Sequence, residues 1–478
     1  MLFPSNVFIF LFLPATIVGY YILRKPYRNL FLLIMSLGFY AWGEPIFVFV
    51  LIISTLVDYF CGYGVFLYKE RRNVKVAKLF LVSSIVINLL LLGFFKYTNF
   101  ALDNLRNIPL FSFLPIGFEI ILPLGISFYT FQKMSYTIDI YRGDAKVQKN
   151  IIAFGMYIAL FPQLVAGPIV RYKDIAEQLK SRYITLESFG EGVKRFIIGF
   201  SKKVLLANNM ALIADHAFAM NSGERSVTYA WIGAIAYAFQ IFFDFSGYSD
   251  MAIGLGRMFG FKFLENFNFP YISASISEFW RRWHISLGRW FRDYVYIPLG
   301  GSRVNKKRLF FNLFIVWLLT GIWHGASLNF ILWGLFYFVL ITFEKITDYP
   351  NKFKRAAWKR LYRVFTLLCI LGGWVLFRAA DIDEAFGYAK SMFALHNNPL
   401  FCDNIILTFR EYWLFLIFSV LCSTELFKNA SEYISKSQNK YLLLAANISA
   451  LFLYIFCFLW SISFIIINAH NPFIYFNF

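Results

Sequence analysis

The sequence has few charged residues and no long polar stretch, and both absences argue against a soluble protein. Only 15% of the 478 residues are charged, whereas 59% are hydrophobic. No Ser-rich or Pro-rich linker divides the chain, so we expect one membrane domain over residues 1–478 instead of the two or three domains of a soluble chain this long. Apolar runs of about 20 residues, the length that crosses a bilayer, recur throughout.

Acidic residues are scarce relative to basic ones. There are 27 Asp and Glu against 46 Lys and Arg, which gives a formal net charge of +19. In a soluble protein this excess would suggest nucleic acid as a partner. Here the basic residues form short clusters between apolar runs, which is typical of membrane proteins that follow the positive-inside rule. We therefore expect no nucleic-acid partner, and the alternation of basic and neutral loops predicts an external N-terminus.

Cysteine pairs and several familiar motifs are also missing. The five cysteines show neither a CxxC pair nor metal-ligand spacing, so neither a disulfide framework nor a metal site is predicted. The chain lacks a GxxxxGK[ST] phosphate loop, a GxSxG elbow, an HExxH pair and a Rossmann fingerprint. These absences predict no bound cofactor.

The apolar runs predict an all-α, polytopic membrane bundle of about eleven segments. This estimate comes from twelve apolar runs, which lie near residues 5–23, 29–42, 45–67, 79–97, 120–132, 151–170, 193–212, 230–253, 309–346, 364–377, 413–427 and 441–468. Run 151–170 is broken by Pro162 and Gly167 and has basic flanks, so we interpret it as a re-entrant segment that lines a watery cavity. Residues 255–308, rich in arginine and tryptophan, predict helices lying at the cytoplasmic surface.

His324 is the sharpest candidate for chemistry. It lies in an almost wholly apolar run between Gly321 and Gly325, where a polar side chain is costly unless it is paired or faces a cavity. The glycines predict that run 309–346 is a broken helix or tight hairpin whose break holds the histidine. An imidazole so placed can serve as a general acid or base. The alternatives are a histidine buried for packing and a ligand to haem or metal.

A second group of candidates precedes His324. His284 follows Arg281, Arg282 and Trp283, and these arginines could hold an anion such as a phosphate. The alternative is an interfacial residue in a positive-inside belt. Gln240, Asp244 and Asp250 are polar residues in an apolar span, and they would either orient a histidine or a substrate hydroxyl, or satisfy one another between helices. The other histidines, at 216, 396 and 470, are predicted to be peripheral.

A set of motifs in this order resembles the membrane-bound O-acyltransferase family, in its AlgI-like and PatA-like branch. The signature core covers residues 240–335 and holds the strongest motifs: Phe243-Asp-Phe-Ser-Gly-Tyr-Ser-Asp250, Asn266-Phe-Asn-Phe-Pro-Tyr271, Glu278-Phe-Trp-Arg-Arg-Trp-His-Ile-Ser-Leu287, Tyr296-Ile-Pro-Leu-Gly-Gly-Ser-Arg303 and Gly321-Ile-Trp-His-Gly325. Outside this core lie four more: Leu2-Phe-Pro-Ser5, Gln163-Leu-Val-Ala-Gly-Pro168, Val375-Leu-Phe-Arg378 and Phe473-Ile-Tyr-Phe476. The likeness spans essentially the whole chain.

The resemblance implies a helical fold that encloses a transmembrane tunnel, with His324 as the essential catalytic histidine and His284 as the second signature residue. Trp323, Trp283, Arg281, Arg282, Asp244 and Gln240 are then candidates for donor or substrate binding. It implies acetyl-CoA as the cytoplasmic donor, an external SGNH-type acetyltransferase as partner, and the bacterial inner membrane as location. The expected product is an O-acetylated envelope polysaccharide, with peptidoglycan first and alginate or another exopolysaccharide second.

Other functions compete with this interpretation. D-alanyl transfer to teichoic acid, as in DltB, uses the same family architecture. A transporter would also need a broken helix with polar residues at mid-depth. A noncatalytic scaffold for an external enzyme would leave both histidines dispensable.

Overall fold

The computed structural model describes residue 1 and residues 3–106, 108–109, 119–467 and 474, and its ordered elements over these ranges are all helices. Eight helices in these ranges are long and apolar enough to cross a membrane, and Phe8–Ile22 is a shorter apolar helix. The prediction of an all-α, polytopic membrane protein is confirmed. The tunnel stays a prediction.

The contacts divide the chain into two compact units. The first comprises Met1–Phe196 and Met251–Leu264, and the second comprises Ile197–Asp250 and Glu265–Phe478. The single domain expected over residues 1–478 stays a prediction.

The first unit is built from short and long helices around a buried central helix, α5. In chain order they are α1 (Leu13–Ile22), α2 (Arg28–Gly43), α3 (Phe47–Glu70), α4 (Val74–Arg106), α5 (Ile126–Arg142), α6 (Ile151–Ala159), α7 (Phe161–Leu164) and α8 (Tyr172–Lys180), followed by the start of α9 (Leu186–Ser201).

Helix α5 differs from the sequence prediction, which placed an apolar segment at 120–132. It begins at Ile126 and continues to Arg142, and polar side chains in its second half are buried. Lys133 Nζ lies 3.7 Å from Asp58 Oδ2 on α3, and Lys173 Nζ donates to Asp139 Oδ1 at 3.4 Å. The predicted boundaries were wrong because these ion pairs allow a polar helix to be buried, which a search for apolar runs does not detect.

The predicted break in run 151–170 is present. Helix α6 ends at Ala159, and α7 starts at Phe161 with Pro162 in its first turn, where a proline costs no helical hydrogen bond. The side chains of residues 153–170 are buried. Irregular backbone at this position is thus enclosed by protein, as the sequence argument required; its re-entrant course stays a prediction.

The second unit holds the signature core. Its helices are α10 (Asn208–Ala219), most of α11 (Val227–Met258), α12 (Ile276–Arg282), α13 (Ile285–Phe291), α14 (Lys306–His324), α15 (Leu328–Thr347), α16 (Ala356–Arg378), α17 (Ile382–Met392), α18 (Asp403–Cys422), α19 (Leu426–Ser435) and α20 (Lys440–Ile466). A π-helical segment, Lys202–Ala207, connects α9 to α10. Between the end of α11 at Met258 and the start of α14 at Lys306 the helices are short, and their predicted position at the cytoplasmic surface stays a prediction.

Candidate active site

A hairpin of two helices places His324. Helix α14 ends at His324, residues 325–327 form the turn, and α15 starts at Leu328 with Ser327 as its N-cap. The two helices approach closely at two glycines: a Cβ at Gly321 would collide with the carbonyl oxygen of Phe330, and a Cβ at Gly334 with that of Trp317. The predicted tight hairpin whose break holds the histidine is confirmed.

Aromatic rings surround the imidazole of His324. The centroids of Trp323, Trp333 and Phe377 lie 4.9, 5.0 and 5.2 Å from its own centroid, and all three rings are nearly perpendicular to it. His324 is only 5% exposed. The arrangement holds the ring in one orientation and keeps bulk water away from it. The carbonyl groups at the end of α14 favour a positive charge on a side chain placed there.

His284 is held by a hydrogen bond and by packing against an aromatic ring. It is the N-cap of α13 and has a left-handed backbone, with φ of 44° and ψ of 53°. Its Nδ1 lies 3.2 Å from Oδ1 of Asn266, and the ring of Phe245 packs edge-on against its ring with centroids 4.6 Å apart. His284 lies outside the eight candidate spans, and burial lowers its pKa to about 3. It is therefore a neutral imidazole at physiological pH.

The structure places both histidines against one indole. The ring of Trp323 lies 6.0 Å from that of His284 and 4.9 Å from that of His324, measured between centroids. Three of the predicted residues, His284, Trp323 and His324, thus form one cluster within the second unit. A reacting group beside Trp323 would be near both imidazoles.

Trp283 lies in an adjoining aromatic cluster. It packs on Trp374 at 4.7 Å, Phe267 at 5.0 Å and Phe279 at 5.5 Å between centroids. Trp374 in turn lies 5.7 Å from Phe377, which contacts His324. Trp283 therefore supports the site through intermediate rings.

The two arginines before His284 differ in their surroundings. Arg282 donates to Glu278 at 2.9 Å and to the carbonyl of Asn268 at 3.1 Å, and it lies 3.9 Å from Glu425. Its charge is therefore already compensated. Arg281 is exposed at the end of α12 and is available to an anion.

Gln240 and Asp244 lie one turn apart on α11, and both are buried. Asp244 Oδ1 forms an ion pair of 2.7 Å with Lys203 Nζ, and its Oδ2 accepts a hydrogen bond of 2.9 Å from the backbone amide of Ile474. Asp250 pairs with Lys202 at 2.8 Å. The carboxylates of α11 thus take lysines as partners, which is the interhelical alternative that the sequence left open.

Two of the remaining histidines, at 216 and 396, are exposed, unlike those of this cluster. His216 is exposed, with Nδ1 2.8 Å from the hydroxyl of Tyr229, and His396 is exposed in the loop after α17. His470, like most of the motif at 473–476, lies outside the described residues.

Comparison with known proteins gives the family. The model of the membrane-bound O-acyltransferase family matches residues 145–380. The probable alginate O-acetylase AlgI of Pseudomonas aeruginosa is 45% identical over 82% of this chain and 75% of its own length. The peptidoglycan O-acetyltransferase of Helicobacter pylori is 33% identical over 100% of this chain and 98% of its own length. The chain belongs to the membrane-bound O-acyltransferase family.

A third relative shows the breadth of this family of acyltransferases. The teichoic acid D-alanyltransferase of Bacillus subtilis is 31% identical over 52% of this chain and 65% of its own length. The family and the names of the longer matches identify this chain as a multi-pass membrane O-acyltransferase, of the O-acetyltransferase kind.

Two residues of this O-acyltransferase's site were missed by the sequence argument. Asn266 holds His284, and its motif was noted without a role. Lys203 neutralises Asp244 from inside an apolar span, where a lysine is itself a signal of a buried partner. Pairing either residue with its partner requires the fold, because the spacing between them follows no helical period.

Proposed function

We propose that this protein takes acetyl groups from cytoplasmic acetyl-CoA and passes them across the inner membrane to an external SGNH-type acetyltransferase, which acetylates peptidoglycan. Among the described residues the proposal depends most on His324, a buried imidazole fixed between Trp323, Trp333 and Phe377 at the break of a helical hairpin. Family membership supplies the acyl-transfer chemistry.

Acyl transfer from a thioester requires little of the protein beyond proton transfer and exclusion of water. A thioester is already activated, so an acceptor hydroxyl attacks its carbonyl carbon once a base removes the hydroxyl proton. His324 is that base, and the proton it takes then neutralises the departing CoA thiolate. An acetyl-histidine intermediate, in which His324 itself attacks first, is the alternative route. Both routes require that bulk water stay away from the thioester.

Donor binding is assigned to the arginine-rich segment beside His284. Arg281 is exposed and carries no ion-pair partner among the described residues, so it is the candidate for a phosphate of CoA. Arg282 contributes through its pairing with Glu278, which fixes the end of α12.

Peptidoglycan is proposed as the final polymer because the H. pylori relative aligns over essentially both whole chains. Alginate or another exopolysaccharide is the second candidate, supported by the higher identity to AlgI over a shorter part of the chain. In either case the external partner would select the glycan.

The test measures free CoA released from acetyl-CoA by the purified protein in nanodiscs, with and without its partner. We expect His324→Ala to lose activity by about a hundredfold or more, the usual worth of a positioned acid-base group. His396→Ala is the matched control, because this histidine is exposed whereas His324 is buried. Equal release by wild type and His324→Ala would contradict acyl transfer through His324 and would favour a transporter. The polymer is identified separately, by base-labile acetate on isolated peptidoglycan or on secreted polysaccharide.

A further inference from the structure

Asn266 contacts the His284 segment through its side-chain oxygen and its backbone carbonyl oxygen. Its Oδ1 lies 3.2 Å from His284 Nδ1 and accepts from the amide of Ser286 at 3.0 Å and from its hydroxyl at 2.8 Å. Its Nδ2 donates to Ser249 Oγ at 3.1 Å, and its carbonyl oxygen accepts from the amide of Ile285 at 2.9 Å. The side chain is fully buried, so these bonds replace its contacts with water.

These contacts determine which end of the amide faces His284. A backbone N–H can only donate, so the atom 3.0 Å from the amide nitrogen of Ser286 is the amide oxygen of Asn266. That oxygen cannot donate to His284, so Nδ1 of His284 carries the proton. Since burial keeps the ring neutral, Nε2, on the opposite side of the ring, carries a lone pair.

The same residue stabilises an unusual backbone. His284 has a φ of 44°, a strained conformation that is rare for residues with a side chain. Hydrogen bonds to Asn266 hold Ile285 and Ser286 on the far side of this residue, and the amide of Asn268 donates to the carbonyl of Arg282 on the near side at 2.9 Å. Asn266 thereby helps fix both the direction of the His284 side chain and its tautomer.

We propose that Asn266 is a positioning residue for the acyl transfer, holding His284 as the Nδ1–H tautomer so that Nε2 offers a lone pair to a hydrogen-bond donor of the bound substrate, while His324 takes the proton of the acceptor hydroxyl. This inference rests on the proposed function. It gives His284 the role of a neutral acceptor, distinct from that of a cation binding the phosphates of CoA. Phe245, Trp323 and Asn266, which contact His284 by ring or amide, are uncharged.

Asn266→Asp separates positioning from mere packing. A carboxylate offers acceptors to the same three donors, and its second oxygen can accept from the hydroxyl of Ser249, so the fold is retained. A negative charge beside Nδ1 raises the pKa of His284, because an opposite charge favours the protonated ring. Protonated His284 has no lone pair on Nε2. We therefore expect the rate of CoA release to fall on the acidic side of the pH profile and to recover as pH rises, with an optimum above that of wild type.

Two further variants complete the experiment. Asn266→Ala leaves Nδ1 without its acceptor, and we expect about a hundredfold loss in kcat that no pH restores. Ser249→Ala removes only the hydrogen bond to Nδ2 and should change kcat by no more than about fivefold, the equivalent of one ordinary hydrogen bond. An Asn266→Asp variant with the wild-type pH profile, or a folded Asn266→Ala variant with near wild-type kcat, would overturn the proposal.

The tautomer of His284 can also be determined without an activity assay. In protein labelled with ¹⁵N-histidine, NMR shifts distinguish a protonated Nδ1 from a protonated Nε2, and His284→Gln assigns the signals. We expect Nδ1 to be protonated in wild type; a protonated Nε2 would refute the positioning role. This result stands even if His324→Ala proves active, so failure of the proposed function and failure of this inference are distinguishable.

Discussion

Replacing Lys203 by methionine should destabilise the protein far more than its single ion pair suggests. Lys203 and Asp244 are 1% and 2% exposed, and their charged atoms lie 2.7 Å apart. Lys203→Met keeps the length of the side chain but leaves a buried carboxylate without its counter-charge. Breaking a buried pair in this way costs about 3–5 kcal/mol, because the remaining charge has lost both water and partner. Asp244→Asn should cost a similar amount, since it leaves the ammonium.

The double variant is expected to recover most of this loss. Lys203→Met with Asp244→Asn removes both charges, and the asparagine oxygen can still accept from the amide of Ile474. Neutral replacement of a whole buried pair is often close to neutral in stability. We therefore expect the double variant to lie within about 2 kcal/mol of wild type, which corresponds to a coupling energy of several kcal/mol.

The free energy of unfolding is measured by SDS titration in mixed micelles for all four proteins of this cycle. Release of CoA is measured on the same samples. If Lys203→Met lowers the free energy of unfolding by less than about 1 kcal/mol, the reasoning about a desolvated pair is wrong. If the double variant is stable but inactive, Asp244 acts on the donor or acceptor, and its role is more than the pairing of two helices.

Two further predictions concern the hairpin and the arginines. Gly334→Leu should separate α14 from α15 and abolish activity, because the new side chain collides with the carbonyl of Trp317. The control is Gly372→Leu, because a Cβ at Gly372 would meet open space. Equal activity of the two variants would contradict the packing argument. Arg281→Ala should raise the KM for acetyl-CoA about tenfold or more with little change in stability, since a hydrogen bond to a charged group is worth about 1.5–3 kcal/mol. Arg282→Ala should instead lower stability, and an unchanged KM in Arg281→Ala would place the phosphates elsewhere.

Local patterns in the sequence predicted the features of this fold that depend on neighbouring residues. The hairpin at His324 follows from the length of an apolar run and from two glycines around the histidine, and the break before Pro162 follows from proline chemistry. The extent of α5 did not follow, because its polar half is compatible with burial only through Asp58 and other partners that come from distant parts of the chain.

The site shows the same division between local and distant information. His324 was identified because it is a polar residue in an apolar run. The role of Asn266 was not identified, because an asparagine after a membrane helix is usually a turn residue, and nothing in the spacing pairs it with His284. Asp244 was weighed as a substrate contact or an interhelical partner, and only the three-dimensional position of Lys203 favours the second.

The basic residues at the starts of α14 and α16 are relevant to the depth of His324 in the membrane. Helix α14 starts at exposed Lys306 and reaches His324 after 19 residues, about 27 Å along its axis. Helix α16 starts in a basic segment and ends beside Phe377, whose ring contacts His324. Both helices thus start at a basic end that lies far from the histidine, whereas the charge of Arg378, at the other end of α16, is paired with Asp215. Because the hydrocarbon core is about 30 Å thick and basic ends are cytoplasmic, an upright α14 would place His324 closer to the external boundary than to the midplane.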